Sequence, residues 1–496
     1  MKKKNSLDIM LAMTMLAFMG YACSPKSTTE ADVDGQQPTR YIHERALSLF
    51  DLQEGDSLPS DFIQMSLEEV SLSFQIPAIQ SPVFAAYDGK WILFGGRKSG
   101  LHNMNNDPPA FSNNMVNDSI WVIDMYNQYS QRVAVPAQYF KYFSASSQQF
   151  FQDGEQLYVV GGFTFADSSS KVSNWTSDYF HEINLPNLIQ YVETQGASPS
   201  LDQVVTKEIS DPFLQVTGGE MIVSNGNFYL VGGHNYQGAY LPGNNGAYTS
   251  AVRKFSLSMS GNSWVISDTL SIKDTVNLHR RDYNLAEVIT PNFDSLGAVV
   301  YGGVFTKDGL GYRSPVYLNG LGRGTPYMTV DQATLQKVNL YSAAKVNAIM
   351  AIGDYRVGRI SLLGGITYMA YDQNAGGLVV PSDVNALPFS NLISTYYTNG
   401  EDETIELVQT PPNNLMPGYL GTNAVFFPIS SLLYGSSTSI IDLNKVFPDG
   451  VTGPVLVGYM YGGIVSPVPN TTTPTGNYTT TNSRKLYGVY MTLVVF

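Results

Sequence analysis

Cysteine is almost missing: Cys23 is the only one among 496 residues, so no disulfide framework holds the chain together. Histidine is scarce too, with five in all, and only 14% of the residues are charged. The formal net charge of -13 leaves no basic surface, which argues against nucleic acid and against anionic lipid held through a basic patch. The catalytic signatures HExxH and SxDxGxTW do not occur, and no GxSxG sits in a strand-turn-helix setting. In their place are 45 glycines, a 12% aromatic share and abundant Ser, Thr, Asn, Tyr and Val, a balance suited to strands and loops. With 43% hydrophobic residues the chain can bury a large core.

The first residues read as an export signal. Lys2, Lys3 and Lys4 precede an apolar run from Ile9 to Phe18, too short to remain as a spanning helix, and Gly20 and Ala22 lead to Cys23. A lone cysteine there resembles the bacterial lipobox, in looser form of the Bacteroidetes type because Gly20 stands where leucine is usual. The resemblance implies acylation of Cys23 and a lipid-anchored protein of a Gram-negative cell envelope. Ser24 in place of aspartate points to the outer membrane. Without residues 1–22 three lysines and Asp8 are lost, and the net charge becomes -15. Ser24 to Arg40 is polar and aperiodic, as in a flexible tether, and Tyr41 to Leu52 suits a short amphipathic helix.

Beyond this point one stretch recurs: an apolar strand ending in two glycines. It appears as WILFGG to Gly96, LYVVGG to Gly162, FYLVGG to Gly233, AVVYGG to Gly303, ISLLGG to Gly365 and GYMYGG to Gly463. Most copies follow a second apolar run and a turn such as DGK, DGE or NGN, which is a hairpin. The pairs are 66, 71, 70, 62 and 98 residues apart, with several strands per period, which is the mark of a propeller. Asn117 to Asp124 (NDSIWVID) reads as a third strand, as do Asp178–Asn184, Ala251–Leu257, Pro326–Asp331, Leu392–Thr398 and Lys485–Met491.

These residues resemble the kelch repeat. The resemblance covers roughly residues 66–496 and implies an all-β, six-bladed propeller with four antiparallel strands per blade. Residues 1–22 are then the signal peptide and 23–65 the tether with a short N-terminal segment. The sixth repeat lacks an outer strand. Val70 to Pro77 is the expected donor, and Leu493 to Phe496 the competing one. Closure from the N-terminus removes a free edge. In the glycine pairs the missing Cβ admits the neighbouring blade.

In such a blade the first-to-second and third-to-fourth turns share one rim, here plain except for an insertion at residues 430–453. The loops after the glycine pairs gather on the other, where binding usually resides. They carry His102 in an Asn-rich run, His234 with Asn235 and Tyr236, and Tyr312 with Arg313. The connection between blades three and four holds His279, Arg280, Arg281, Asp282 and Tyr283. Arginine forks and tyrosine faces suit carboxylates and sugar rings, while an Arg281–Asp282 bridge could equally serve to order the connection. The Asn-rich run at 103–107 lacks the acidic spacing of a calcium loop, and Asn470 to Ser483 is low in complexity.

The expected role is therefore recognition of a glycan or protein partner by a monomer, without metal or cofactor, rather than catalysis. The copper-radical chemistry found in one kelch branch needs a cysteine crosslinked to tyrosine and paired histidines, which this inventory does not supply. The kelch-type sialic acid mutarotases need fewer special residues and remain the enzymatic alternative. Aromatics such as Tyr236, Tyr240 and Trp175 favour a sugar if they line a cleft and a protein if they spread as a patch. An enzyme calls instead for a charged axial pocket with a carboxylate of perturbed pKa.

Overall fold

Asp88 and Gly89, and again Asn225 and Gly226, take left-handed backbone conformations that match the twist of the strands they join. These tight hairpins start the blades. The computed structural model describes residues 38–494 except 53–58, 102–110, 112, 168–171, 239, 241–245, 290–295, 354, 382–386, 400–402, 412–415, 449–450, 452 and 470–479. The signal segment, Cys23, most of the tether, His102 with the Asn-rich run and most of the 470–483 loop lie outside the described residues.

Six four-stranded antiparallel sheets result, each continuous from an inner to an outer strand. Blade one is Val83–Tyr87, Lys90–Phe94, Ser119–Asp124 and Tyr129–Ala134; blade two is Gln149–Asp153, Gln156–Val160, Tyr179–Asn184 and Val205–Ser210. Blade three is Glu220–Ser224, Asn227–Val231, Ala251–Ser260 and Ser263–Lys273; blade four is Asn284–Ile289, Leu296–Tyr301, Val316–Asn319 and Tyr327–Val330. Blade five is Ala344–Ile352, Tyr355–Leu363, Ile393–Thr398 and Thr404–Gln409. Blade six takes Tyr419–Pro428, Val455–Ser466 and Leu486–Leu493 from the end of the chain and Ile63–Val70 from its start.

The fold is thus the all-β six-bladed propeller, closed by an N-terminal strand. Three details differ from the sequence reading. The closing strand is Ile63–Val70, paired from Ile63↔Leu493 to Val70↔Leu486, and Leu493 ends the third strand. Leu72, Phe74 and Ile76 alternate for another reason: they pack between blades six and one. In blade four, Pro326–Asp331 covers the fourth strand, because the third is the four-residue, wholly buried Val316–Asn319, too short to show alternation. Blade two carries a helix, Leu185–Glu193, between its third and fourth strands. Asn184 caps it by accepting from Asn187 N at 2.9 Å, Pro186 opens it, and Leu185, Leu188, Ile189 and Val192 bury one face.

Neighbouring blades meet through aromatic rings. Trp91 of blade one stacks on Phe427 of blade six at 4.3 Å, and Tyr301 of blade four on Tyr396 of blade five at 4.3 Å. Such pairs add about 0.5–1.5 kcal/mol beyond the area they bury.

The glycine pairs make the second kind of junction. In every blade the second glycine donates its N–H to a carbonyl of the next: Gly96 to Ala145 (3.0 Å), Gly162 to Val216 (2.8 Å), Gly233 to Arg280 (2.9 Å), Gly303 to Leu340, Gly365 to Leu420 (3.1 Å) and Gly463 to Ile79 (3.0 Å).

The turn rim is not bare. The helix Pro38–Ser48 buries Ile42 and Ala46 in the core cluster that holds Met350, Val357 and Leu493, and Tyr41 Oη donates to Val494 O. Beside it lies the 430–453 insertion, whose short strand Ile440–Asp442 adds in parallel to Asn347–Ile349 of blade five. Among the described residues no helix is long and apolar enough to cross a membrane.

Candidate functional site: a cleft at the mouth of the propeller axis

One position faces the axis in each blade, just before the inner strand in blades one to five and within it in blade six: Ser81, Ser147, Gly218, Asp282, Ser342 and Asn423. Four of the five side-chain-bearing residues have φ between +51° and +55°, as does Gly218 at +68°, so the backbone turns sharply there. Ser342 is the exception. Their backbones form a closed circle of six hydrogen bonds, each N–H donating to the preceding blade: Ser147 to Ser81 (3.4 Å), Gly218 to Ser147 (3.1 Å), Asp282 to Gly218 (2.8 Å), Ser342 to Asp282 (3.0 Å), Asn423 to Ser342 (2.6 Å) and Ser81 to Asn423 (3.3 Å). This circle is the mouth of an axial cavity of about 270 Å³.

Below the mouth the inner strands present Phe84, Phe150, Met221, Leu285, Lys345 and Phe426. Glu220 pairs with Lys345, which also donates to Leu285 O at 2.7 Å. At the far end Gln152, Glu287 and Asn347 meet Thr438 and Ser439 of the insertion, which donate to Gln152 O (3.2 Å) and Glu287 Oε2 (2.9 Å).

Above the mouth, on the long-loop face, a smaller cleft of about 50 Å³ shares Ser147, Gly218 and Asp282 with the cavity. Its wall is aromatic. Phe111 meets Phe163 at 5.6 Å and Tyr240 at 5.0 Å, and Tyr236 meets Tyr240 at 5.0 Å. Its polar side is Arg281, which donates through Nη1 to His234 Nε2 (2.9 Å) and through Nη2 to Tyr240 Oη (2.8 Å), with Nε 3.2 Å from Asp282 Oδ2.

Burial lowers the His234 imidazole to about 3, with the Arg281 charge adding to the effect, so it is neutral and able to accept that bond. Burial would also lower Arg281, but Asp282 and the hydroxyls of Tyr240, Tyr248 and Tyr341 outweigh it and hold the guanidinium above its ordinary value. Burial pushes the Asp282 carboxyl up, against the pull of Arg281, although its side chain keeps 27% of its surface exposed.

The structure sorts the remaining candidates by what they touch. Arg280 is wholly buried, donates to Asn277 O and Gly302 O (2.9 Å for the latter), and lies 4.1 Å over the Tyr312 ring; burial lowers it to about 10. Tyr283 is equally buried. Its hydroxyl donates to Val231 O and accepts from Glu220 N at 2.8 Å, bridging blades three and four. His279 stacks on Tyr248 at 3.9 Å with Nδ1 3.2 Å from Phe305 O. Arg313 stands apart, donating to Gln336 O at 2.8 Å and lying 4.3 Å over Tyr368. His234, Tyr236, Arg281 and Asp282 are therefore the ones brought together, while Trp175 packs on Tyr179 and does not line the cleft.

Phe111, Phe163 and the axial Glu220, Lys345 and Glu287 escaped the sequence reading. Aligned on their glycine pairs, only the first three repeats bring their mouth residues, Ser81, Ser147 and Gly218, to one position; the unequal hairpins of the other three hide Asp282, Ser342 and Asn423. Nothing local marks the aromatic pair. Among the described residues no three His, Cys, Asp or Glu side chains are grouped to hold a metal ion.

No protein-family model and no curated protein matches the chain. A solved structure titled "Structure of YjhT" is similar to it over 83% of this chain and 95% of that one, at 12% identity and a TM-score of 0.42.

Proposed function

We propose that this chain is a carbohydrate-binding propeller that takes one end of a sugar unit in the cleft over its axis. The observation that carries this reading is the Arg281–Asp282 pair set against a wall of Phe111, Phe163, Tyr236 and Tyr240. Sugar hydroxyls need donors and acceptors side by side, and the pair offers both: two of the five guanidinium N–H groups are hydrogen-bonded, and Asp282 is partly exposed. The ring faces of a sugar need aromatic surface. The opposite charges cancel, so the cleft favours a neutral unit over a carboxylate. Its concave shape favours a small ligand over a protein partner, which would require roughly 800 Å² of surface on each side. In the same proposal Cys23 bears the lipid anchor and the protein works, as a monomer, at the outer membrane.

A glycan-array screen with purified residues 24–496, run beside Arg281→Ala and Tyr240→Ala, tests this. At least tenfold weaker binding in both variants, with melting temperatures near the parent's, is the expected result. Binding to no glycan would overturn it and move the weight to a protein partner.

A second reading rests on Asp282, whose raised carboxyl at the axis is placed to move protons on a bound sugar. Anomer exchange of a bound reducing sugar, followed by NMR, distinguishes the two. Catalysis requires acceleration by the parent and its loss in Asp282→Asn with binding retained.

A further inference from the structure

The far end of the axial cavity, beside the 430–453 insertion, is chemically distinct from the cleft above its mouth. Of the three carboxylates lining the cavity, Asp282 has Arg281 and Glu220 has Lys345. Glu287 accepts from the Ser439 hydroxyl and feels Lys345 only at longer range; among the described residues no cation reaches it within ion-pair distance. A half-buried carboxylate with one hydroxyl donor is better held when a counter-charge arrives.

One further acceptor at the same depth has no bond of its own: Oδ1 of Asn347 is buried without a hydrogen-bond partner. Buried polar atoms left this way are rare in native proteins and ask for a partner. Next to it the wall is aromatic: the half-buried Phe84 and Phe150 meet edge-on at 5.1 Å. Negative charge, a spare carbonyl oxygen and aromatic surface together suit an ammonium group on a short carbon body.

We propose that the far end of the axial cavity, beside the 430–453 insertion, binds a small organic cation, with its ammonium group at Glu287 and its carbon body against Phe84 and Phe150. This proposal does not rest on the sugar reading, although the cleft and the cavity share Ser147, Gly218 and Asp282.

Calorimetric titration of the purified protein with n-butylammonium chloride tests it, with 1-butanol as the neutral control and sodium chloride matching the ionic strength. Saturable binding of the amine is expected, with at least tenfold weaker binding of the alcohol. Glu287→Gln should weaken the amine at least tenfold, and Asn347→Asp, which adds a carboxylate at the same depth, should tighten it several-fold. Equal binding of amine and alcohol, no saturable heat, or unchanged affinity in Glu287→Gln would overturn the proposal. Should Glu287→Gln not fold, Asn347→Asp decides: unchanged affinity there overturns it as well.

Discussion

A methyl group on Gly302 would sit 2.6 Å from the Leu340 carbonyl oxygen and 2.8 Å from that of Asn339, at a φ of +65°. Both neighbours are backbone of the next blade and neither can step aside. Gly89, at φ +73°, has nothing within 4 Å of the same methyl position. Gly89→Ala should therefore cost only the left-handed strain, roughly 1–2 kcal/mol. Gly302→Ala adds a clash across the blade junction and should lose at least about 3 kcal/mol. Urea denaturation of the two variants compares them, and equal losses would mean that the junction yields. At this scale the doubled glycines were legible because each blade repeats them. The roles of Arg280 and Arg281 were not: they are neighbours in an aperiodic connection, and only the fold shows that one braces Gly302 and the other faces the cleft.

Among elements, the ring-closing strand shows what alternation can and cannot reveal. Residues 67–77 alternate throughout, yet the ladder ends at Val70 because its partner, Leu486–Leu493, ends there. The rest keeps its period by packing between two blades without pairing. What anchors the strand was not readable either. Asp61, two residues before it, meets Arg359 of blade five at 2.9 Å, with the two side chains 3% and 0% exposed. Arg359 also donates to Ile63 O, Tyr397 Oη and Ser361 Oγ. Removing one partner strands a buried charge, so Asp61→Ala should cost about 3–5 kcal/mol. Guanidinium denaturation checks this, and a loss below about 1 kcal/mol would show that the strand holds by its ladder alone. The helix Leu185–Glu193 was missed for a simpler reason: its apolar spacing lies inside a repeat otherwise read as strands.

For the whole molecule the buried titratable groups set the response to pH. His181 and His234 are both lowered by burial to about 3, against an ordinary 6.5. Below pH 6.5 the unfolded chain binds protons that the folded one refuses, so stability falls as the pH drops from 6.5 toward 3. By pH 5 this amounts to roughly 2 kcal/mol for each histidine, at about 1.4 kcal/mol per pKa unit. Asp282, Glu287 and Glu406, raised by burial, act oppositely: their contribution shrinks as the pH climbs from the ordinary carboxyl range through their folded values. The two histidines work toward a lower melting temperature at pH 5 than at pH 7, so His181→Phe should raise the melting temperature at pH 5 relative to that at pH 7 when compared with the parent. An unchanged difference in the variant would remove His181 from the account.

The N-terminal helix occupies the turn rim, with the long-loop cleft at the opposite end of the axis. If Cys23 is tied to a bilayer as proposed, the fourteen residues 24–37 set a leash no longer than ~50 Å at full extension. The leash is fastened to the underside, so the cleft points away from the lipid. Within that reach the protein would sample the space beside the membrane, and its catch would be set by what diffuses past the bilayer rather than by what lies in it.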